Sequence, residues 1–290
     1  MLSDTKGSGI SGKGEFATEH ILEWQLFVKF MTEEGGKGGC NHWETYWKPL
    51  GKIDISGFSL GPLVPMDWVG AMFPSKNFHT DEFMLLGEHI NGRKEKIWQG
   101  IALGKSTMNY IKGRPQRRDG TDQEKEDRIW DNRQIGLKAV RNAILAVKYM
   151  QLTKVNDIMF AQAKRIMDMF NTLEDDVLKL EWARYYQANS NTPGLPKNYK
   201  KHGWAGEWKK YIKRQGDAFS KKINDQLKEA EKEAKKQARG LLEAEEKKKK
   251  QDPSYQINAQ IEEFAENVGK FSDEMEQYWK NSWGNPFRSL

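Results

Sequence analysis

The pattern of apolar positions in residues 121–190 is that of one long amphipathic helix. Apolar side chains recur three or four positions apart, with one slip of register midway, and no proline interrupts them. The pattern predicts either a continuous helix or two helices separated by a break near Asn171 and Thr172. Thr121 and Glu124 match a capping box, in which each side chain bonds the other residue's backbone N–H, so we expect the helix to begin there.

Two more amphipathic stretches lie in residues 197–290, joined by the sequence KKKKQDP. The first has a thin seam of Ile, Leu, Ala and Gln over residues 223–244. The second has a seam spaced alternately four and three residues apart, formed by Ile257, Ile261, Phe264, Val268, Phe271, Met275 and Tyr278. We expect Asp252 to cap this second helix, with Pro253 at its first position. The pattern predicts a basic helical hairpin with a short tail; because it also suits pairing with another subunit, the second seam is the predicted self-association surface.

The first 120 residues have a weaker pattern. Residues 1–14 are rich in Gly and Ser and predict a flexible arm. Residues 15–112 form the predicted N-terminal unit, with amphipathic helices over residues 16–34 and 80–111. Between these helices, residues 40–78 alternate Gly, Pro and aromatic residues, which predicts an irregular, aromatic-rich loop region. The predicted fold class is therefore all-α, an elongated helical bundle or a set of coiled-coil-like hairpins.

Composition and charge agree with long exposed helices. Hydrophobic residues make up 37% of the 290 positions and charged residues 30%. The net charge is +6, and residues 196–252 alone contain 18 Lys and Arg against 10 Asp and Glu. A second basic stretch covers residues 93–118. Such stretches attract phosphate backbones or anionic lipid headgroups, although basic helices are often only well solvated.

The chain lacks the sequence features of secreted and membrane-spanning proteins. The single cysteine, Cys40, excludes an intramolecular disulfide and is typical of a reducing compartment. No apolar run is long enough to span a bilayer, and the first residues contain no apolar core of a signal peptide. We therefore expect a cytoplasmic or virion location.

The sequence GIALGKST at residues 100–107 contains the second half of a phosphate-binding loop. That loop needs four residues between its glycines, but Gly100 and Gly104 leave three, and no apolar strand precedes them. On a helix, two glycines four residues apart form a notch that lets another helix approach closely. We therefore predict a helix-packing notch at Gly100 and Gly104 instead of a nucleotide site.

Other candidate chemistry is equally sparse. The possible metal ligands Cys40, His42, His79 and His89 have none of the spacings that zinc sites use. The acidic run Glu174 to Asp176 points in three directions on a helix, and a solvated surface explains it. We expect no metal, no cofactor and no catalytic residues, and we predict that the protein is not an enzyme.

The segment 199–214 is the most suggestive one for binding. In a helix, Trp204, Trp208 and Tyr211 share one side and are flanked by Lys209, Lys210, Lys213 and Arg214. Three interpretations stay open: the rings pack on another helix of the protein, or the segment contacts a membrane surface, or it contacts nucleic acid. In the last two cases Arg114, Arg117 and Arg118 supply accessory phosphate contacts.

Two functional hypotheses follow from these patterns. The first is a non-enzymatic structural or assembly protein that forms homo-oligomers, or binds other structural proteins, through its long helices. Its composition is similar to that of virion-internal and DNA-ejection proteins of tailed phages, which gives a setting for this hypothesis. The alternative is a nucleic-acid-binding helical module that uses the basic stretches 93–118 and 197–250.

Overall fold

The computed structural model describes residues 16–34, 39–114 and 119–290. The chain is mostly helical, with 70% helix and 3% strand, which confirms the all-α class. The predicted flexible arm, residues 1–14, lies outside the described residues.

A short two-stranded sheet in the N-terminal region was not predicted. Strand β1 (Phe16–Glu19) pairs antiparallel with β2 (Met84–Gly87). Helix α1 (Trp24–Lys29) follows β1 and widens into a π-helical turn over Phe30–Glu34. The predicted single helix over residues 16–34 is therefore wrong at its start, because the backbone of Phe16–Glu19 is paired with a strand some 70 residues away in the sequence.

The aromatic-rich region 40–78 contains short helical elements between its turns. They are α2 (Gly39–His42), a π-helical turn (Trp43–Trp47), a 3-10 turn (Lys48–Leu50) and α3 (Pro65–Gly70). Ile53 and Leu63 form an isolated antiparallel bridge. The buried Trp68 stabilises this region, since its indole N–H donates a hydrogen bond of 3.0 Å to the Ile53 carbonyl.

The predicted helix over residues 80–111 is divided into several elements. A 3-10 turn (Thr80–Glu82) and β2 come first, and then α4 (Glu88–Trp98) and α5 (Lys105–Ile111). Helix α4 ends where Gly100 takes a φ of +72°, a left-handed conformation that glycine adopts at helix ends. The N–H groups of Gly100 and Ile101 donate back to the carbonyls of Ile97 and Lys96, both over 2.8 Å, and so close a Schellman motif.

Three helices form an almost continuous helical run in the centre of the chain. They are α6 (Asp122–Gln151), α7 (Thr153–Asn171) and α8 (Leu178–Ala188), with a π-helical turn (Thr172–Val177) before α8. The capping box of Thr121 and Glu124 is confirmed, with hydrogen bonds of 3.2 and 2.7 Å. The break lies at Leu152, where ψ is 130°, and not at residues 171–172, where the backbone stays helical. The slip in the apolar pattern coincides with the break at Leu152.

The chain ends with two long helices, α9 (Trp204–Gln251) and α10 (Ala259–Lys280). The predicted start of α10 at Asp252 and Pro253 is wrong. Asp252 instead accepts the N–H of Ser254 over 3.0 Å in a turn, and Asn258 caps α10 by accepting the N–H of Gln260 over 2.8 Å. Asp252 and Asn258 are both good caps, but only Asn258 directly precedes the apolar stripe that packs.

Helix α10 runs back along α9 in the same chain. Hydrogen bonds join Tyr278 to Asn224, Trp279 to Glu231 and the Asn258 N–H to Glu245. Six residues of the predicted self-association seam are buried, and only Ile257 is half-buried. This corrects the assignment of that seam to a second subunit, because α9 and α6 already cover it.

Helix α9 is the central element of the core, since it contacts α4, α5, α6, α7 and α10. Aromatic rings pack around its first turns. The ring of Phe30 meets those of Trp204 and Trp208 edge to face, with centroids 5.9 and 5.2 Å apart, and the ring of Phe170 is stacked on that of Trp204. Edge-to-face and offset pairs of this kind stabilise a core beyond the apolar area that they bury. Among the described helices, none combines the length and the apolarity that crossing a bilayer requires.

Candidate nucleic-acid interface

The three aromatic rings of the segment 199–214 are buried inside the protein. Trp204 and Trp208 are fully buried and Tyr211 is 2% exposed. The indole N–H of Trp208 donates to the Ala163 carbonyl of α7 over 3.0 Å. These rings therefore pack on the protein itself, and their prediction as partner or membrane contacts is wrong because no partner can reach them.

A buried carboxylate fixes the start of α9 in place of an N-cap side chain. Glu174, in the π-helical turn, is 2% exposed and accepts hydrogen bonds from the N–H groups of His202, Gly203 and Trp204, at 2.7 to 3.1 Å. A negative charge is favourable there, because the first N–H groups of a helix are unpaired and carry partial positive charge. The solvated-surface interpretation of Glu174 is therefore wrong.

His42 supports the same turn from α2. The indole N–H of Trp204 donates to Nδ1 of His42 over 3.3 Å, and Nε2 of His42 lies 2.6 Å from the Lys200 carbonyl. A neutral imidazole with its proton on Nε2 satisfies both contacts. Burial lowers the pKa of His42 to about 4, so the ring is neutral near pH 7.

The cations next to the buried rings do not form a cluster of free charges. Lys210 pairs with Glu207 over 3.1 Å, and the Arg214 guanidinium lies 5.9 Å from the centre of the Tyr211 ring. Lys209 and Lys213 are half-buried. Their predicted role in binding phosphate or lipid stays a prediction, and the structure points to a stronger candidate further along α9.

Six cationic side chains follow one side of the second half of α9, and we call this surface the basic face. It consists of Lys221, Lys228, Lys232, Lys236, Arg239 and Lys247, all of which are exposed. Since successive helical residues are rotated by about 100°, the six lie within an arc of about 100°. At 1.5 Å per residue the face is about 40 Å long. It lies opposite the buried stripe of α9 that includes Ile223, Leu227 and Ala234.

No member of the basic face forms an ion pair with the residues that the structure describes. Other lysines of α9 do, since Lys210, Lys235 and Lys248 each pair with a glutamate three or four residues away. Surface cations without an ion pair are the groups that an external anion can neutralise without first breaking an ion pair.

Four acids share the arc of the basic face, namely Asp225, Glu229, Glu243 and Glu246. They leave an excess of two positive charges over the whole face. The excess is greatest between Lys228 and Arg239, where four cations meet the single acid Glu229 within about 17 Å of helix. This central part is therefore the strongest candidate for contact with a polyanion.

The loop before α5 and the residue that follows α5 border one edge of the basic face. The Leu103 N–H donates to the Gln226 side chain over 3.1 Å, and Lys112 lies 4.0 Å from Glu233. Arg114 follows two residues after Lys112 and is exposed, so its predicted phosphate contact stays a prediction. Arg117 and Arg118 lie outside the described residues.

Two other cations of the basic stretch 93–118 have structural roles. Lys94 is fully buried, pairs with Glu23 over 2.7 Å and donates to the His20 carbonyl. Arg93 donates to the Ala102 carbonyl over 2.7 Å, and burial lowers the pKa of its guanidinium. Both are thus occupied within the fold, which corrects the assignment of the whole stretch to phosphate contact.

The predicted notch at Gly100 and Gly104 is wrong, because neither glycine lies inside a helix. Gly100 ends α4 and Gly104 precedes α5 as its N-cap. A Cβ at Gly100 would lie 3.2 Å from Lys222 Nζ and 3.7 Å from Phe219, so this loop still approaches α9 closely. Helix α4 precedes this sequence, whereas a phosphate-binding loop follows a strand.

The described residues contain no group of three or more His, Cys, Asp or Glu side chains placed to hold a metal ion. Cys40 is exposed, and His42 is part of the structural contacts around Trp204.

The sequence alone indicated the basic stretch 197–250 but not the individual residues that form the basic face. The buried stripe of α9 could have located it, since the residues opposite that stripe must be exposed.

Comparisons with protein-family models, with curated proteins and with solved structures gave no match, so the geometry of the chain itself carries the functional argument.

Proposed function

We propose that this protein binds the phosphate backbone of nucleic acid through the basic face of α9, without a catalytic step. The observation that carries the proposal is the row of exposed cations that form no ion pair with the described residues. A linear row of charges on one unbroken helix matches a linear polyanion better than it matches a compact anionic ligand. The buried rings of the first half hold this helix in place.

The burial of the α10 seam removes the main support for the first hypothesis, which was assembly through long helices. In that hypothesis the apolar stripes of α9 and α10 need a second subunit, but the α10 stripe and the α9 stripe from Ile223 to Ala238 are buried within the chain. A peripheral membrane contact is also less well supported, because the apolar side of α9 is buried and cannot enter a bilayer. The exposed charge of α9 is then the feature that can attract an anionic partner, and it favours nucleic acid, whose phosphates form a dense linear row of charges.

The proposal predicts strongly salt-dependent binding. With about four phosphate contacts, the affinity for duplex DNA falls about 100-fold between 50 and 200 mM salt, because each contact releases condensed counterions. Fluorescence anisotropy with a labelled 20-base-pair duplex measures the dissociation constant at each salt concentration. An affinity that does not change with salt contradicts a phosphate contact.

Matched triple variants test the location of the site. Changing Lys228, Lys232 and Lys236 to Gln removes three cations of the basic face and should weaken duplex binding at least about 10-fold at 100 mM salt. The control changes Lys210, Lys235 and Lys248 to Gln, which removes the same charge from the same helix at ion-paired positions. The control should weaken binding less than about 3-fold, and circular dichroism should show that both variants stay folded.

Equal losses in the two triple variants would mean that net charge, and not the basic face, governs binding. If the unchanged protein binds no nucleic acid at 50 mM salt, the proposed function itself is wrong. Light scattering in the same buffers shows whether any change in anisotropy comes from aggregation of the protein.

A further inference from the structure

We infer that the basic face is built for double-stranded nucleic acid, in preference to single strands. This inference rests on the proposed function and adds the class of ligand. Proteins that bind single strands combine a positive groove with aromatic side chains on which bases stack. The question is therefore which rings and which surface shape accompany the basic face.

No ring on α9 itself can stack on a base. The aromatic side chains of α9 are Trp204, Trp208, Tyr211 and Phe219, and all of them are buried. The described aromatic residues that are well exposed, Phe16 and Phe58, belong to β1 and to the loop before α3. Among the described residues, α9 therefore offers no exposed ring of its own for base stacking along the basic face.

Two rings do approach the edge of the basic face, but both are held by the protein. Lys228 Nζ lies 5.3 Å above the Trp279 ring, whose indole N–H donates to Glu231 over 3.0 Å. Lys248 Nζ lies 5.5 Å from the Tyr255 ring, whose hydroxyl donates to Glu245 over 2.8 Å. An ammonium group covers one side of each ring, so a base stacking on that side would first have to displace a lysine.

The shape of the surface also favours a duplex. The basic face is the exposed side of one unbroken helix, and a helix side is convex. A flexible single strand needs a groove that holds its backbone, whereas a stiff duplex can lie against a ridge. The face is about 40 Å long, slightly more than one turn of duplex at about 34 Å.

Charge density favours the same ligand. Duplex DNA carries one charge per about 1.7 Å of its axis, and each neutralised phosphate releases more counterion than in a single strand. A surface that works through charge alone gains more from the denser polyanion. The exposed cations of the face are suited to phosphate contacts, which carry no sequence information, so we expect binding to be insensitive to sequence as well.

The experiment compares ligands of equal length with the full chain at 100 mM salt. Fluorescence anisotropy is measured for two 20-base-pair DNA duplexes of different sequence, for a mixed 20-nucleotide strand and for oligo-dT of 20 nucleotides. We expect each duplex to bind at least about 10-fold more tightly than either single strand, and the two duplexes to agree within about 3-fold. Vesicles containing phosphatidylserine serve as a non-nucleic polyanionic surface.

The outcomes distinguish failure of the duplex preference from failure of the proposed function. Equal or tighter binding of the single strands overturns the duplex preference and leaves the proposed function standing. Absence of binding to all four oligonucleotides, or binding to the vesicles alone, overturns both. The variant Trp279→Leu is a second check, since a lower affinity for the single strands and an unchanged affinity for duplex would show that this ring stacks on bases.

Discussion

The two halves of α9 have the same backbone and opposite surroundings. The first half, residues 204–220, buries large rings against α1, α7 and α2. The second half, residues 221–251, buries mainly small or aliphatic side chains on one side and exposes its cations on the other. The first half therefore fixes the helix in the fold, while the second half presents charge. Stability and binding should thus depend on different residues of the same helix.

The largest expected effect comes from removing a ring of the first half. Trp208→Ala should lower the free energy of unfolding by about 3 to 5 kcal/mol, because it leaves a cavity in a fully buried site and removes a hydrogen bond to Ala163. The control Lys236→Ala, in the second half, should stay within about 0.5 kcal/mol. Urea unfolding followed by circular dichroism measures both, and comparable losses would contradict the division between the halves.

The next effect concerns the carboxylate that holds the first turn of α9. Glu174→Gln should lower the free energy of unfolding by about 3 kcal/mol, since three backbone N–H groups lose a charged acceptor in a buried site. Asp175→Asn is the matched control, because Asp175 pairs with Lys201 at the surface. It should cost less than about 1 kcal/mol in the same urea experiment. A larger loss in the control would show that Glu174 is not the main anchor.

A smaller loss of folding stability is expected at acidic pH, through His42. Because the pKa of His42 is about 4 in the folded protein and near 6.5 when exposed, the unfolded chain binds a proton more readily between these values. The contribution of His42 is therefore complete above pH 6.5 and is lost as the pH falls towards 4, by about 2 kcal/mol. His42→Gln keeps a donor and an acceptor without titrating, so its stability should fall less between pH 7 and pH 4.5. An equal fall in both proteins would assign the acid sensitivity to other groups.

The parts of the fold that depend on local signals could be predicted from the sequence. The capping box at Thr121 needs only residues within one turn, and the apolar stripes of α6 and α10 repeat over many turns. The strand Phe16–Glu19 could not be found in this way. It is four residues long, and its partner lies far along the chain. The break at Leu152 was visible only as a slip in the apolar pattern.

The sequence shows that an apolar stripe exists, but it does not show which element or subunit covers that stripe. The seam from Ile261 to Tyr278 was recognised, but its spacing is the same whether α9 or another subunit covers it. Likewise, the acidic run at Glu174 resembles a solvated surface until the position of Trp204 is known. The basic face depends on which side of α9 is buried, so it follows from packing and not from charge counts alone.

The anchoring of α9 at one end has a mechanical consequence. Its final turn lies about 70 Å from the N–H groups that Glu174 holds. A tilt of about 5° at the anchored end would carry the far end through about 6 Å, nearly two base-pair steps of about 3.4 Å each. The contacts of α9 with α4, α5, α6, α7 and α10 oppose such a tilt, so the direction of the basic face is fixed by these contacts together with Glu174.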